Sequence, residues 1–202
     1  MTHEELQGEK GLDSLIEEVR AAMAIPGKTL GYSSPSRAAV SLILRPDPEN
    51  ADLFALLIKR RVRDRDPWSG HMALPGGRYA DSDGDLAKTI IREVREETSI
   101  DLGSCAILGT LDEIAPGNFS IRVTPYVALA PEDASAKIAL EEIESFFWVP
   151  LSFFRDGKNV RPYHVNRLGL EQDVPSYPYL GQHMIWGMTF RIIQDFVARI
   201  SS

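Results

Sequence analysis

The apolar positions in the first part of the chain follow two different spacings. Between residues 11 and 25 they recur at helical intervals, which predicts a helix that Pro26 and Gly27 end. Two continuous apolar runs follow, at 38–44 and 53–58, and each has the length of a buried strand. The polar segment 47–52 between the runs is typical of a turn, so we expect the two strands to form a hairpin.

The middle of the chain carries shorter patterns. Residues 71–74 predict a short strand that runs into a turn at 75–77. Residues 85–98 predict a helix, and either Asp83 or Asp85 is suited to cap its N-terminus. Further segments have strand-like composition, namely 105–111, 121–129 and 146–149.

The end of the chain predicts one loop and one helix. Residues 155–182 are rich in Pro, Gly and Tyr and predict a long irregular loop, whereas 184–200 predict an amphipathic helix. Because strands and helices mix without a regular β-α-β alternation, the predicted class is an α+β sandwich. We divide the chain into an N-terminal helix with its lead-in, 1–36, and one domain, 37–202.

Composition and charge narrow the possible classes of function. The chain has 202 residues, of which 44% are hydrophobic and 25% are charged, so it can bury a core. Its formal net charge of -7 argues against broad nucleic-acid binding through the phosphates. No apolar run approaches the ~20 residues of a membrane span, and the N-terminus lacks the apolar core of a signal peptide. We therefore expect a cytoplasmic protein that does not bind membranes.

The acidic stretch 92–97 carries the most chemical information. Glu93, Glu96 and Glu97 are spaced i, i+3 and i+4, which places them on one face of the predicted helix. Like charges at this spacing destabilise an isolated helix, and a hard divalent cation such as Mg²⁺ or Mn²⁺ would offset the repulsion. The alternative is a solvated helix face on which the two neighbouring arginines balance the acids.

The stretch from Gly76 to Ile100 resembles the signature box of the Nudix hydrolases. A glycine turn, Gly76-Gly77, precedes Asp83 and then the core Arg92-Glu93-Val94-Arg95-Glu96-Glu97. Over residues 37–200 the chain is also similar to the coenzyme A pyrophosphatase branch of that family, through segments 37–40, 56–58, 147–152 and 185–189. It departs from the family pattern at Asp83, where glutamate is usual, at Ser99, where glycine is usual, and in the stretch 59–77 upstream of the box.

The resemblance implies a fold and a metal site. The fold is an α/β/α sandwich with a mixed β-sheet and the box helix beside it. The implied metal is Mg²⁺ or Mn²⁺, and its implied ligands are Glu93, Glu96, Glu97 and the carbonyl of Gly76. Arg92 is expected to orient the glutamates through charge-assisted hydrogen bonds. The implied substrate is a diphosphate that links a nucleoside to another group.

The resemblance also suggests which residues move a proton and bind substrate. The general base is either Glu93 or Glu97 of the box or an acid from a later part of the chain, for which the candidates are Glu113, Glu141, Glu142 and Glu144. We take Glu142 as the later candidate. The substrate-binding candidates are the residues of a positively charged loop, which is otherwise simply solvated, and the second box glycine: Arg60, Arg61, Arg63, Arg65, Trp68 and Gly77.

The leading expectation is metal-dependent hydrolysis of coenzyme A or acyl-coenzyme A at the diphosphate. One alternative is the same chemistry on nucleotide sugars, NADH, dinucleoside polyphosphates or nucleoside triphosphates. Another is a Nudix-fold sensor that binds a nucleotide without cleaving it, although a sensor has no need of the complete set of glutamates. A homodimer is expected from the family resemblance alone.

Overall fold

The computed structural model describes residues 3–31, 36–64, 69–116, 120–137, 142–167 and 170–201, with the backbone alone for 3–10, 167 and 170. In chain order the helices and strands are α1 (His3–Met23), β1 (Ser36–Asp47), β2 (Asp52–Arg60), β3 (Met72–Ala73), β4 (Gly76–Arg78), α2 (Leu86–Thr98), β5 (Ala106–Thr110), β6 (Ile121–Leu129), β7 (Ile143–Pro150), α3 (Leu151–Arg155), β8 (Arg161–Arg167), β9 (Leu170–Tyr179), β10 (His183–Trp186) and α4 (Gly187–Ile200).

Helix α1 packs an apolar stripe onto the core. Leu12, Leu15, Val19 and Met23 are buried and join the hydrophobic cluster formed by β1 and α4. The predicted helix is confirmed, but it begins at His3 rather than at residue 11. Neither α1 nor any other helix in the described part of the chain is long and apolar enough to cross a membrane.

Strands β1 and β2 form the predicted hairpin. Asp47 lies opposite Asp52 beside the turn, and Leu44 lies opposite Ala55 farther along. Strand β1 continues past Pro46, which the sequence pattern did not predict. Pro46 lies beyond Leu44, the last residue of β1 that pairs with β6, so its missing N–H costs no hydrogen bond to β6.

The central sheet is mixed and opens at one end. Its strand order is β3-β2-β1-β6-β5, with β7 on the other edge of β2, and β1 and β6 are parallel. Where β1 and β2 diverge, the short strands β3 and β4 lie between them. Ala73 pairs with Ile58 of β2, and Gly77 pairs with Ala39 of β1. The turn predicted at 75–77 is therefore wrong at its glycines, which form a strand because β1 offers an edge to pair with.

Helices cover both faces of this sheet. Successive residues of β1 alternate between the faces: Ala39 and Ile43 pack with Ile90 and Val94 of α2, whereas Leu42 packs with α1 and α4. Helix α3 joins the second group. This layering confirms the expected α/β/α sandwich with a mixed sheet. Among the described helices named above, α2 covers one face, which we call the α2 face.

The segment 155–182 forms much of a second sheet, so the predicted irregular loop is wrong. Strands β8 and β9 pair in antiparallel register, and β10 adds to β9. The prolines hid this pattern: Pro162 lies opposite Pro175 in the ladder, so two residues without an N–H face each other. The closing helix begins at Gly187 rather than at residue 184 because 183–186 form β10.

Replacing Val19 by alanine tests the packing of α1. Val19 is buried, so the variant loses apolar contacts and leaves a cavity. We expect the free energy of unfolding, measured by chemical denaturation, to fall by about 1–3 kcal/mol. Glu17→Ala, on the exposed side of the same helix, should change it by less than about 0.5 kcal/mol. An equal loss in both variants would contradict the packing.

Candidate active site

Gly76 lies in the opening between β1 and β2. It pairs with Val40 of β1 at a position of the ladder where the two residues exchange no backbone hydrogen bonds. The Ser41 N–H donates to the Pro75 carbonyl and the Tyr79 N–H to the Arg37 carbonyl, each at 2.9 Å. Hydrogen bonds alternate along an antiparallel pair, so the N–H and C=O of Gly76 point away from β1. Its φ of 144° and the overlap that a Cβ would make with the Ala39 carbonyl both require glycine.

The second glycine makes room for a glutamate. A Cβ on Gly77 would overlap the carboxylate of Glu93, which therefore lies directly against the β4 backbone. Helix α2 is fixed in this position by caps at both ends. The Asp85 side chain accepts from the Lys88 N–H, so Asp85 is the N-cap, and Ser99 ends the helix with a φ of 61°. Ser99 thus adopts the left-handed conformation for which glycine is usual.

The three glutamates of α2 differ strongly in burial. Glu97 is 4% exposed, while the side chains of Glu93 and Glu96 are 18% and 49% exposed. The buried carboxylate of Glu97 accepts the Gly76 N–H at 2.8 Å. Burial raises the pKa of Glu97 to about 8, with the negative charge of Glu93 adding to the effect. Burial also raises the pKa of Glu93, although the Arg92 guanidinium opposes this shift.

Arg92 connects the glutamates to Asp83. Its guanidinium donates to both carboxylate oxygens of Asp83, at 2.8 and 2.9 Å, to Glu93 at 2.9 Å and to Glu96 at 3.2 Å. Asp83 also accepts from the Ala80 N–H and the Thr89 hydroxyl. The bond from Arg92, with these two adding to it, holds the pKa of Asp83 well below the usual range. The sequence suggested Asp83 as a helix cap and did not predict this anchoring role.

The glutamates do not form a ready-made metal cage. In the described ranges, no three Asp, Glu, His or Cys side chains are arranged to hold an ion. The ion pairs of Arg92 with Glu93 and Glu96 account for this arrangement. The donor set still suits a hard cation, because it consists of carboxylate oxygens and of the Gly76 carbonyl, which points away from β1. A bound cation would offset the cost that burial imposes on the ionised forms of Glu93 and Glu97.

The predicted arginines have separate environments. Arg60 lies at the end of β2, and its positive charge lowers the pKa of Glu97, so it belongs to the acidic site. Arg61 and Arg63 are exposed; the Arg61 N–H donates to the Glu142 carbonyl, and the Arg63 guanidinium pairs with the Glu142 carboxylate at 2.7 Å. Arg65 and Trp68 lie outside the described residues.

The candidate general bases also lie in different environments. Glu142 is half-exposed, and its charge raises the pKa of Glu97. Glu144 pairs with Lys59 at 3.0 Å. Glu113 is almost buried and accepts from the Leu30 N–H and the Thr124 hydroxyl, so its carboxylate serves the structure. Glu141 lies outside the described residues.

Two further residues next to the acidic site were not predicted. The Arg37 guanidinium lies 4.3 Å from the centre of the Tyr79 ring, one step along the same face from Ala39 and Gly77. Only the alternation of β1 could have indicated them, since it puts Arg37 on the α2 face with Ala39.

Solvent reaches the other side of Arg92 and Glu96 through an open depression of about 660 Å³ along α2.

Comparisons with known proteins agree with this geometry. A family model described as the NUDIX domain matches residues 35–167. A Photorhabdus laumondii protein named "Uncharacterized Nudix hydrolase NudL" is 30% identical over 195 residues, which cover 94% of this chain and 97% of that protein. A Yersinia pestis protein of the same name is 32% identical over 178 residues, which cover 84% and 83%.

A solved structure shares the fold. The crystal structure of a MutT/nudix family protein from Enterococcus faecalis aligns with a TM-score of 0.55 and 18% identity. The alignment covers 87% of this chain and 66% of that chain. At this identity the likeness concerns the arrangement of helices and strands alone.

The burial of Glu97 predicts how stability depends on pH. Its folded pKa of about 8 lies above the ordinary value of 4.5, so between these values the folded chain holds a proton that the unfolded chain has released. Stability is therefore lost as pH rises toward 8. Between pH 6.5 and 8 we expect the metal-free protein to lose roughly 1–2 kcal/mol of unfolding free energy, measured by denaturation in chelator.

Glu97→Gln should remove most of this pH dependence, because the amide keeps an acceptor for the Gly76 N–H and cannot ionise. Glu17→Gln, on an exposed glutamate, should keep the wild-type slope. If Glu97→Gln and wild type lose stability in parallel over this range, the carboxylate is not the group that titrates.

Proposed function

Because the chain belongs to the Nudix hydrolase family, we propose that it is a divalent-metal-dependent pyrophosphohydrolase that cleaves the diphosphate of a nucleoside diphosphate-X compound. Coenzyme A or an acyl-coenzyme A is the substrate we place first. Nudix enzymes generally use divalent metal ions, and the preferred ion here, Mg²⁺ or Mn²⁺, is part of the proposal.

One observation carries this proposal. Glu97 is a buried carboxylate whose only hydrogen-bond donor among the described residues is the Gly76 N–H, and Glu93 lies beside it against Gly77. The ionised form of a carboxylate buried in this way is costly unless it is paired or bound to a metal. Two positions of β4 must be glycine, the second of them because a Cβ there would overlap the Glu93 carboxylate. This arrangement favours a cation-binding role over a solvated helix face.

The metal would be held by Glu93, Glu96, Glu97 and the carbonyl of Gly76. When bound, such an ion neutralises charge on the diphosphate and lowers the pKa of a bound water. Arg92 is the positioning residue for this set, since its guanidinium contacts both Glu93 and Glu96 while Asp83 fixes it from behind.

The remaining task is to move one proton. Hydrolysis forms a bond between a water oxygen and one phosphorus, breaks the bond from that phosphorus to the bridging oxygen, and releases a proton from the water. We assign this proton to the Glu142 carboxylate, whose negative charge raises the pKa of Glu97 and which is outside the proposed set of metal ligands. Arg63, paired with Glu142, would orient it.

The choice of coenzyme A rests on sequence similarity and on charge. The segments that resemble the coenzyme A pyrophosphatase branch occupy β1, β2, β7 and the junction of β10 with α4. Arg60, at the acidic site, and the exposed Arg61 next to it supply positive charge for an additional phosphate such as the 3′-phosphate of coenzyme A.

Glu97→Gln tests the metal-site assignment. We expect turnover with Mg²⁺ or Mn²⁺ to fall by at least about a thousandfold, because the variant loses a ligand charge at the reacting diphosphate. Glu142→Gln should lower kcat by about a hundredfold or more while leaving Mn²⁺ affinity unchanged, as a general base would. The control is Glu17→Gln, which should retain wild-type rates. Wild-type turnover by Glu97→Gln would refute the assignment.

A product assay tests the substrate. The protein, with Mg²⁺ and then with Mn²⁺, is incubated with coenzyme A, acyl-coenzyme A, NADH, ADP-ribose, nucleotide sugars and nucleoside triphosphates, and the products are identified by mass spectrometry. We expect coenzyme A to give 3′,5′-ADP and 4′-phosphopantetheine at the highest rate. Faster cleavage of another compound would identify that compound as the preferred substrate of the same hydrolysis reaction. A lack of turnover with both metals would favour a nucleotide sensor.

A further inference from the structure

The α2 face continues past the acidic site to a second group of charged residues. Gly77 pairs with Ala39, and the next residues on the same face are Tyr79 on the β4 side and Arg37 on β1. Two strand residues span about 6.6 Å, so Arg37 begins about that far from the backbone that supports Glu93. On the other side of β1, the parallel register places Arg122 directly opposite Arg37.

These two arginines are neutralised unequally. Arg122 lies 3.5 Å from the Glu113 carboxylate and donates to the Leu30 carbonyl. Among the described residues, Arg37 contacts no carboxylate, and its one side-chain partner there is the ring of Tyr79. The sequences of segments 32–35 and 117–119, which lie outside the described residues, contain no acidic residue. Like charges directly opposite in a sheet are destabilising, so this arrangement leaves positive charge on Arg37 that no carboxylate in the described part of the chain offsets.

We propose that Arg37, held over the Tyr79 ring, binds the phosphate of the substrate that adjoins the one at the acidic site. The inference rests on the proposed function, because it takes the substrate to be a diphosphate. A guanidinium presents a planar fork of N–H donors that matches phosphate oxygens, and stacking on an aromatic ring fixes the plane of that fork. Tyr79 is therefore the positioning residue and Arg37 the binding residue.

The spacing agrees with the chemistry of a diphosphate. Its two phosphorus atoms share one bridging oxygen, so both phosphates fit within the reach of groups a few ångströms apart. Glu93 lies against Gly77, and the Arg37 side chain starts two residues away on the same face. One phosphate at the glutamates and its neighbour at Arg37 thus occupy adjacent positions along β1.

The test measures binding separately from turnover. The probe is α,β-methylene-ADP with Mg²⁺, because its bridging carbon prevents cleavage, and its dissociation constant is measured by calorimetry. We expect Arg37→Gln to weaken binding by about tenfold to a hundredfold, the size of one charge-assisted hydrogen-bonding contact. The affinity for adenosine, which lacks phosphates, should not change. KM for the cleaved substrate should rise by a similar factor while kcat stays within about threefold.

Matched variants separate the parts of the proposal. Tyr79→Phe keeps the ring and should bind as wild type does, whereas Tyr79→Leu removes the platform and should weaken binding by about threefold to tenfold. Arg37→Lys keeps the charge without the planar fork and should recover part of the loss. Arg161→Gln is the control, because this exposed arginine on β8 donates to the Val160 carbonyl, away from the α2 face.

Unchanged binding of the probe by Arg37→Gln would overturn the inference, as would an equal loss of adenosine affinity or a wild type that does not bind the probe. Wild-type turnover, measured alongside, distinguishes this failure from that of the proposed function. Turnover with an unaffected Arg37→Gln variant refutes the phosphate site alone. Probe binding that depends on Arg37, without turnover of any diphosphate, supports the phosphate site and refutes the hydrolase.

Discussion

The hydrogen bond from the Gly76 N–H to the Glu97 carboxylate is the contact on which the site depends. Where β1 and β2 diverge, the inserted strand β4 can satisfy only alternate backbone groups from β1. The Gly76 N–H points into the opening, where an unpaired amide would cost free energy, and α2 supplies the acceptor. The consequence is a buried carboxylate with too little positive charge around it, and this deficit is what makes the site suitable for a cation.

Local contacts at the two ends of α2 explain how the chain tolerates two of its departures from the family pattern. Aspartate is shorter than glutamate, but the short 3₁₀ turn at Asp81–Asp83 and the Ala80 N–H bring the Asp83 carboxylate within 3 Å of the Arg92 guanidinium. Ser99 adopts a left-handed conformation that costs a non-glycine residue about 1 kcal/mol, which the capping bond to Arg95 and the packing of α2 offset. Both substitutions leave the glutamates on the same helix face.

Local patterns predicted the parts of the fold that local chemistry determines. The hairpin, the helix that carries the glutamates and an acidic cap at Asp83 or Asp85 follow from the sequence pattern, and the structure shows that Asp85 is the cap. Residues 75–77 were predicted as a turn because glycine and proline favour turns, yet the open edge of β1 makes the glycines a strand. Strands β8 and β9 were missed because Pro162 and Pro175, which lie opposite each other, interrupt the strand pattern. The two strands pair with each other, and the sequence pattern of either one does not indicate this pairing. Only tertiary structure decides such cases.

The same limit applies to the site. Spacing alone grouped Glu93, Glu96 and Glu97, but it could not tell that one is buried, one half-buried and one exposed. Likewise, a run of arginines in the sequence suggested one phosphate-binding loop, whereas the structure brings Arg60 to the acidic site and turns Arg63 toward Glu142. Positive charge near the acidic site is therefore distributed by strand register rather than by proximity in sequence, as the position of Arg37 shows.

This distribution resolves an apparent conflict between the charge of the chain and the charge of its substrate. A net charge of -7 repels a polyanion at long range, but screening confines that effect to about 8–10 Å at physiological salt. Within that distance the proposed substrate would meet the positive charge of Arg60, which acts on Glu97, and that of Arg37 beside Tyr79. A cation bound between them would complete a positive strip, so metal binding and substrate binding are expected to reinforce each other through charge, without any movement of the sheet.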